Sequence, residues 1–186
     1  MEHLPRNPGT IPQVAIIGCG NIGSRLDEQN LTGAILSHAG AYQRSGLVHL
    51  STLCDTSPQR LHECGCVRGV DKLYTDYRIM LREEPIDILS ICTPTIQRLP
   101  LVQAAIESGV RIIFCEKPLA YSLAEAETIY KVVQASQTIM AVNYLRRWDP
   151  SLQEVVDTFK KGQIGQIQHA VAYYGKGILN LSLIHI

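Results

Sequence analysis

Apolar positions along the chain gather into short, near-continuous runs. "QVAIIG" (Gln13–Gly18), "LVHLSTLCD" (Leu47–Asp55), "IDILSICTP" (Ile86–Pro94), "VRIIFCEKP" (Val110–Pro118) and "TIMAVNYL" (Thr138–Leu145) each read as a buried strand. A shorter strand is expected near Leu73 and Tyr74, with a helix after it. Between the strands, "SPQRLHECG" and "RLPLVQAAIESG" read as helices, the second closed by Gly109. Ser122-Leu-Ala-Glu125 is a capping box, in which hydroxyl and carboxylate satisfy free N–H groups at a helix start; that helix runs to about Ser136. Strands that alternate with helices, and are apolar on both faces, predict a parallel sheet covered on both sides. The expected fold class is a doubly wound α/β domain.

The pattern changes after "RRWDP" (Arg146–Pro150). "SLQEVVDTFKKG" reads as an amphipathic helix ended by Gly162, and "QIQHAVAYYG" (Gln166–Gly175) as a strand with partial alternation. The expected organisation is therefore a first domain over 1–148, the opening helix and strand of a second α/β domain over 149–180, and a tail over 181–186.

Composition narrows the class of function. The 186 residues carry 17 basic and 17 acidic side chains, a formal net charge of zero. That balance gives no reason to expect nucleic acid or an anionic membrane as a partner. "MEHLPRNPGT" is polar and broken by proline, without the apolar core of a signal peptide, and no apolar run is long enough to span a bilayer. Of the six cysteines, Cys54, Cys92 and Cys115 sit in or at the end of apolar runs and Cys19 lies between glycines. They read as small reduced core residues of a cytoplasmic protein. "CGC" (Cys64, Cys66) has no second ligand pair at metal-binding spacing, so no metal is expected.

The chemistry lies at the strand ends. The first strand runs into Gly18-Cys-Gly-Asn-Ile-Gly23, a GxGxxG motif in the strand-to-helix context that dinucleotide binding requires. The first glycine makes the tight turn, the second lets backbone approach a pyrophosphate, and the third allows close packing. The second strand ends at Asp55, where a carboxylate accepts from adenosine ribose hydroxyls and repels a 2′-phosphate; that favours NAD over NADP. Asp55 lies further from the glycines than the usual ~20 residues. The excess is "SRLDEQNLTGAIL" (Ser24–Leu36), an insertion that reads either as a cover for a cofactor or as a solvated loop. Two further strands end in Thr93-Pro94-Thr95 and Cys115-Glu116-Lys117-Pro118, facing the same crevice. Partial burial of Lys117 there would lower its pKa toward the range useful for proton transfer.

GxGxxG, Asp55, "TPT", "EKPLA" and "NYLRRWDP" occur in the order and spacing of one family. From about Val14 to about Asn180 the chain resembles the glucose-fructose oxidoreductase / inositol dehydrogenase / MocA family of NAD(P)-dependent oxidoreductases. "EKP" on a strand end after "TP" is the more specific part of that signature.

The resemblance implies a Rossmann domain followed by an α/β domain that carries the substrate and often the oligomer interface. It implies that Gly18, Gly20, Asn21 and Ile22 hold the pyrophosphate, with Asp55 and Arg60 at the adenosine end. Thr93, Pro94 and Thr95 would line the nicotinamide side. Glu116 and Lys117 would reach the nicotinamide ribose and the reacting centre, with Lys117 as the catalytic residue. Asn143, Arg146 and Arg147 match a segment near substrate or cofactor; for the two arginines an interdomain ion-pair role is an equal alternative. Arg98 departs from the family, which often has histidine at that position.

The implied activity is hydride transfer between a nicotinamide cofactor and a sugar or cyclitol hydroxyl, in a homo-oligomer. Alternatives within the same family are an NAD-dependent glycosidase and a non-catalytic dinucleotide-sensing regulator. The family's catalytic histidine lies four residues after an Asp or Asn. With Asn180 in that first position the fourth residue on is Ile184, so His185 is out of register. Native sequence is expected to end near Asn180, with Leu181–Ile186 foreign to it and the chain an N-terminal fragment.

Overall fold

The computed structural model describes residues 10–28, 33–166, 168, 169 and 171. The chain divides after Tyr144 into two compact units.

The first unit is built on strands β1 (Gln13–Ile17), β2 (His49–Cys54), β3 (Lys72–Tyr74), β4 (Ile88–Ile91), β5 (Ile112–Glu116) and β6 (Ile139–Asn143). All are parallel, in the order β3-β2-β1-β4-β5-β6. This is the doubly wound arrangement that the apolar runs predict. The order reverses between β1 and β4, so the connections leaving those strands diverge and open a crevice at their carboxyl ends.

The helices are α1 (His38–Ser45), α2 (Pro58–Arg68), α3 (Tyr77–Glu83), α4 (Arg98–Glu107) and α5 (Leu123–Gln134). Strand side chains alternate between faces, and both faces are covered. On β1, Val14 and Ile16 enter a core with Leu50, Leu53 and Leu61, whereas Ala15 and Ile17 enter a second core with Leu89, Ile113, Leu101 and Ile129. Caps fix the helix starts: Ser37, Ser57, Asp76 and Ser122 each accept a backbone N–H from the first turn that follows. Opposite Ser122, the Glu125 carboxylate accepts from the N–H of Tyr121, one residue earlier than a standard capping box.

The insertion brings a difference from the sequence reading. Asn21–Arg25 forms a π-helical turn, Leu26–Glu28 continues it as one α-helical turn, and α1 follows. Nothing in the hydrophobic pattern points to α1, whose sequence HAGAYQRS has a glycine near its start and little apolar periodicity. Its cap Ser37 and the left-handed Gly46 after it are the signals that mark it.

The second unit contains a 3₁₀ turn (Leu145–Trp148) and α6 (Pro150–Lys160). Asp149 caps α6 by accepting from Ser151 N–H at 2.9 Å. Leu152, Val155, Val156 and Phe159 follow at helical spacing, as the amphipathic reading requires. The strand expected over Gln166–Gly175 lies largely outside the described residues, and Asn180 and Leu181–Ile186 lie wholly outside them. Among the described residues no helix is long and apolar enough to cross a membrane.

Candidate functional site

The glycine loop joins β1 to the π-helical turn. Gly18 has φ +97°, and a Cβ on it would lie 2.8 Å from the backbone of Cys92 at the end of β4. Gly23 sits against the carbonyl of Gly18, where a Cβ would lie 2.0 Å from that oxygen. Gly20 differs: its φ is −68°, and a Cβ would meet nothing within 4 Å. The first and third glycines are thus required by packing, and the second faces open space.

That space is a cavity of about 510 Å³ at the carboxyl ends of the strands. Gly18 and Gly20 form one side, Asp55 and Thr56 follow β2, and Thr93 and Pro94 follow β4. Pro100 and Leu101 of α4 add an apolar wall. A concave, largely apolar pocket with convergent polar groups at a topological switch point suits a dinucleotide.

Asp55 holds the loop as well as lining the cavity. Its Oδ2 accepts from Cys19 N–H at 2.7 Å and its Oδ1 from Ser57 N–H at 2.9 Å. Each oxygen retains a lone pair for a further donor.

The sequence reading puts Arg60 at the adenosine end; in the fold it faces the other way from the cavity lining and has partners of its own. Its side chain is buried behind the loop. Nε donates to the carbonyl of Cys19 at 2.6 Å, and Nη1 donates to Glu28 Oε2 at 3.0 Å, with Nη2 on the other oxygen of Glu28. The cause is the insertion, which delivers Glu28 to the guanidinium. Burial pushes the Glu28 carboxyl up, but hydrogen bonds from Arg60 and Ser24 outweigh it and hold it below the usual carboxylate range. Asp27 is tied down alongside: its carboxylate accepts from Leu36 N–H at 2.6 Å and lies 3.7 Å from the Arg68 guanidinium. The described parts of the insertion therefore brace the glycine loop from behind.

Glu116 and Asn143 meet each other at neighbouring strand ends. The sequence reading sends Glu116 to the nicotinamide ribose and Asn143 toward substrate or cofactor. Both are buried, and Asn143 Nδ2 donates to Glu116 Oε1 at 2.6 Å. His38 Nε2 donates to the same oxygen at 3.1 Å, while its Nδ1 lies 2.9 Å from Ser90 Oγ, itself 2.7 Å from Tyr42 OH. Burial raises the Glu116 carboxyl, but hydrogen bonds from His38 and Asn143 pull it below its ordinary range. One oxygen of the Glu116 carboxylate and the Asn143 amide thus join this interior network. The backbone of Glu116 still leads directly to Lys117.

Lys117 is exposed at the end of β5, so the partial burial invoked for it is absent. A cis peptide bond joins it to Pro118. Its carbonyl and that of Thr93 each accept from Arg98 Nη2, at 3.2 and 3.3 Å. The buried Arg98 thus bridges the "TPT" and "EKP" ends. Of "TPT", Thr95 is buried and opens a 3₁₀ turn, and it does not line the cavity. Asn21 and Ile22 begin the turn after Gly20 without lining the cavity, and Arg146 and Arg147 lie in the 3₁₀ turn of the second unit. Among the described residues no metal-binding cluster of His, Cys, Asp or Glu occurs. Tyr77 and Arg78, which the sequence reading passes over, line the cavity.

Known proteins resemble this chain in sequence and fold. The chain is 30% identical over 151 residues to D-apiose dehydrogenase of Paraburkholderia graminis, covering 81% of this chain and 37% of that protein. It is 33% identical over 166 residues to scyllo-inositol 2-dehydrogenase (NAD(+)) of Bacillus subtilis, covering 89% and 43%. The crystal structure of myo-inositol 2-dehydrogenase from Lactobacillus plantarum superposes with a TM-score of 0.73 at 28% identity, over 85% of this chain and 43% of that one. An oxidoreductase from Agrobacterium radiobacter, crystallised with NAD+, L-tartaric acid and magnesium, gives 0.72 at 25% identity, over 84% and 42%. The chain spans roughly two fifths of the length of these relatives. A family model described as "Oxidoreductase family, NAD-binding Rossmann fold" matches residues 13–144, well over half of the chain. The chain belongs to that family.

Proposed function

We propose that this chain is the cofactor-binding part of an NAD-dependent dehydrogenase acting on a sugar or cyclitol hydroxyl. The observation that carries the reading is Gly20: a residue of the glycine loop whose Cα faces open cavity, flanked by Asp55 and the "TP" strand end. A side chain there would occupy the path of a bound pyrophosphate.

Gly18, Gly20, Asn21 and Ile22 are assigned to the pyrophosphate, Asp55 to the adenosine ribose, and Thr93 and Pro94 to the nicotinamide side. Bound nicotinamide dinucleotide supplies the carbon that accepts or gives the hydride. Lys117 removes the proton from the substrate hydroxyl on oxidation and returns it on reduction. Asp55 disfavours a 2′-phosphate by charge, which supports NAD over NADP. The dehydrogenase reading is preferred to glycosidase or regulator because the named relatives are dehydrogenases.

Calorimetric titration tests the cofactor assignment. The expected result is saturable NAD binding, weaker NADP binding, and a narrowed gap between them in Asp55→Asn. Tighter binding of NADP than NAD by the unaltered chain would refute the role given to Asp55.

A further inference from the structure

The cavity extends past Asp55 to residues that no glycine or strand-end motif explains: Thr56, Thr75, Tyr77 and Arg78. Arg78 is the second residue of α3. Its guanidinium carbon lies 4.5 Å from the centre of the Tyr77 ring. Tyr77 itself packs against the core, so the platform is anchored. Asp76, the nearest acid in sequence, is engaged as the helix cap, accepting from Arg78 N–H at 2.8 Å. Among the described residues the Arg78 guanidinium has no hydrogen bond or ion pair. It is a planar cation, set over an aromatic ring and exposed at the wall of a cavity.

Position says what meets it. Along the sheet from β4 to β3 the cavity passes the glycine loop, then Asp55 at the end of β2, then Thr75 to Arg78 after β3. If the glycine loop takes pyrophosphate and Asp55 the adenosine ribose, the next group outward is the adenine base. We propose that Arg78, seated on Tyr77, is the residue on which adenine stacks, and so a determinant of affinity for the adenosine half of the cofactor. This rests on the reading of the cavity as a dinucleotide site. A guanidinium plane suits a purine face because stacking and cation–π attraction act together. The position of the guanidinium over Tyr77, and the Asp55 carboxylate lining the same cavity, favour stacking over capture of a 2′-phosphate.

Calorimetry of the chain with NAD, NADP and AMP, for wild type, Arg78→Ala and Arg78→Lys, tests this. Arg78 is exposed, so both variants should unfold at the wild-type urea midpoint. Arg78→Ala should weaken NAD, NADP and AMP by a similar factor, roughly 5- to 30-fold. Arg78→Lys should rescue little of this, because it restores charge without a plane. Unchanged NAD affinity in Arg78→Ala overturns the proposal, as does full rescue by lysine. A loss confined to NADP overturns it too, by making Arg78 a phosphate partner. Failure of the wild-type chain to bind NAD or AMP is a distinct result, and refutes the reading of the cavity together with this inference.

Discussion

His38 Nε2 donates to Glu116 Oε1 at 3.1 Å, joining residues 78 positions apart in sequence. The bond runs from the first residue of α1 to the last residue of β5, immediately before Lys117. Asn143 at the end of β6 converges on the same oxygen. The carboxyl ends of two strands and the start of one helix are thus clasped by a single buried carboxylate.

Removing that carboxylate should be costly. Glu116→Ala leaves His38 and Asn143 without their acceptor, and is expected to lower the unfolding free energy by about 3 kcal/mol. Glu116→Gln keeps an acceptor for Asn143 and should cost less. Urea denaturation measures both; an unchanged midpoint for Glu116→Ala would show that the clasp adds nothing to stability.

Acid should unfold the chain through the same group. Glu116 and Glu28 have carboxyls held below their ordinary range in the fold. A depressed folded pKa contributes stability that is fully present above the unfolded value of about 4.3 and is lost as pH falls through the folded value. The urea midpoint should therefore drop as pH falls below about 4.3, and less steeply in Glu116→Gln. Equal slopes for wild type and variant would contradict the assignment.

The glycines of the motif should separate by function. Gly23→Ala places a Cβ 2.0 Å from the Gly18 carbonyl and is expected to cost about 1–3 kcal/mol of stability. Gly20→Ala meets nothing in the fold and should leave the melting temperature unchanged while weakening NAD. Thermal unfolding beside calorimetry distinguishes the two. Equal destabilisation by both would remove the argument drawn from Gly20.

Arg60 separates bracing from direct contact. Arg60→Ala takes the guanidinium from the Glu28 carboxylate, leaving it only Ser24 as a hydrogen-bond donor, and releases the Cys19 carbonyl, so stability should fall by about 3 kcal/mol along with NAD affinity. A direct adenosine contact would instead lose affinity at unchanged stability. Denaturation and titration of the same variant decide between them.

The strands were legible because a doubly covered parallel sheet requires apolar side chains on both faces, and Val14 to Ile17 satisfy that by themselves. The glycine loop was legible because its constraints are local. The inward turn of Arg60, Glu116 and Asn143 was not. Each looks like a polar residue at a strand or helix end, and only the fold brings Glu28 to Arg60 or His38 to Glu116. His38 and Ser90 carry no motif, since a single histidine or serine in sequence says nothing about a partner dozens of residues away. The Arg78–Tyr77 contact was equally hidden, because adjacent residues rarely advertise whether their side chains meet.

A crystal structure of the 186-residue chain grown with saturating NAD decides whether the cavity is the cofactor site. The pyrophosphate is expected against the backbone at Gly18 and Gly20, with the adenosine ribose hydroxyls on Asp55. An empty cavity, or dinucleotide bound elsewhere on the chain, would rule that out.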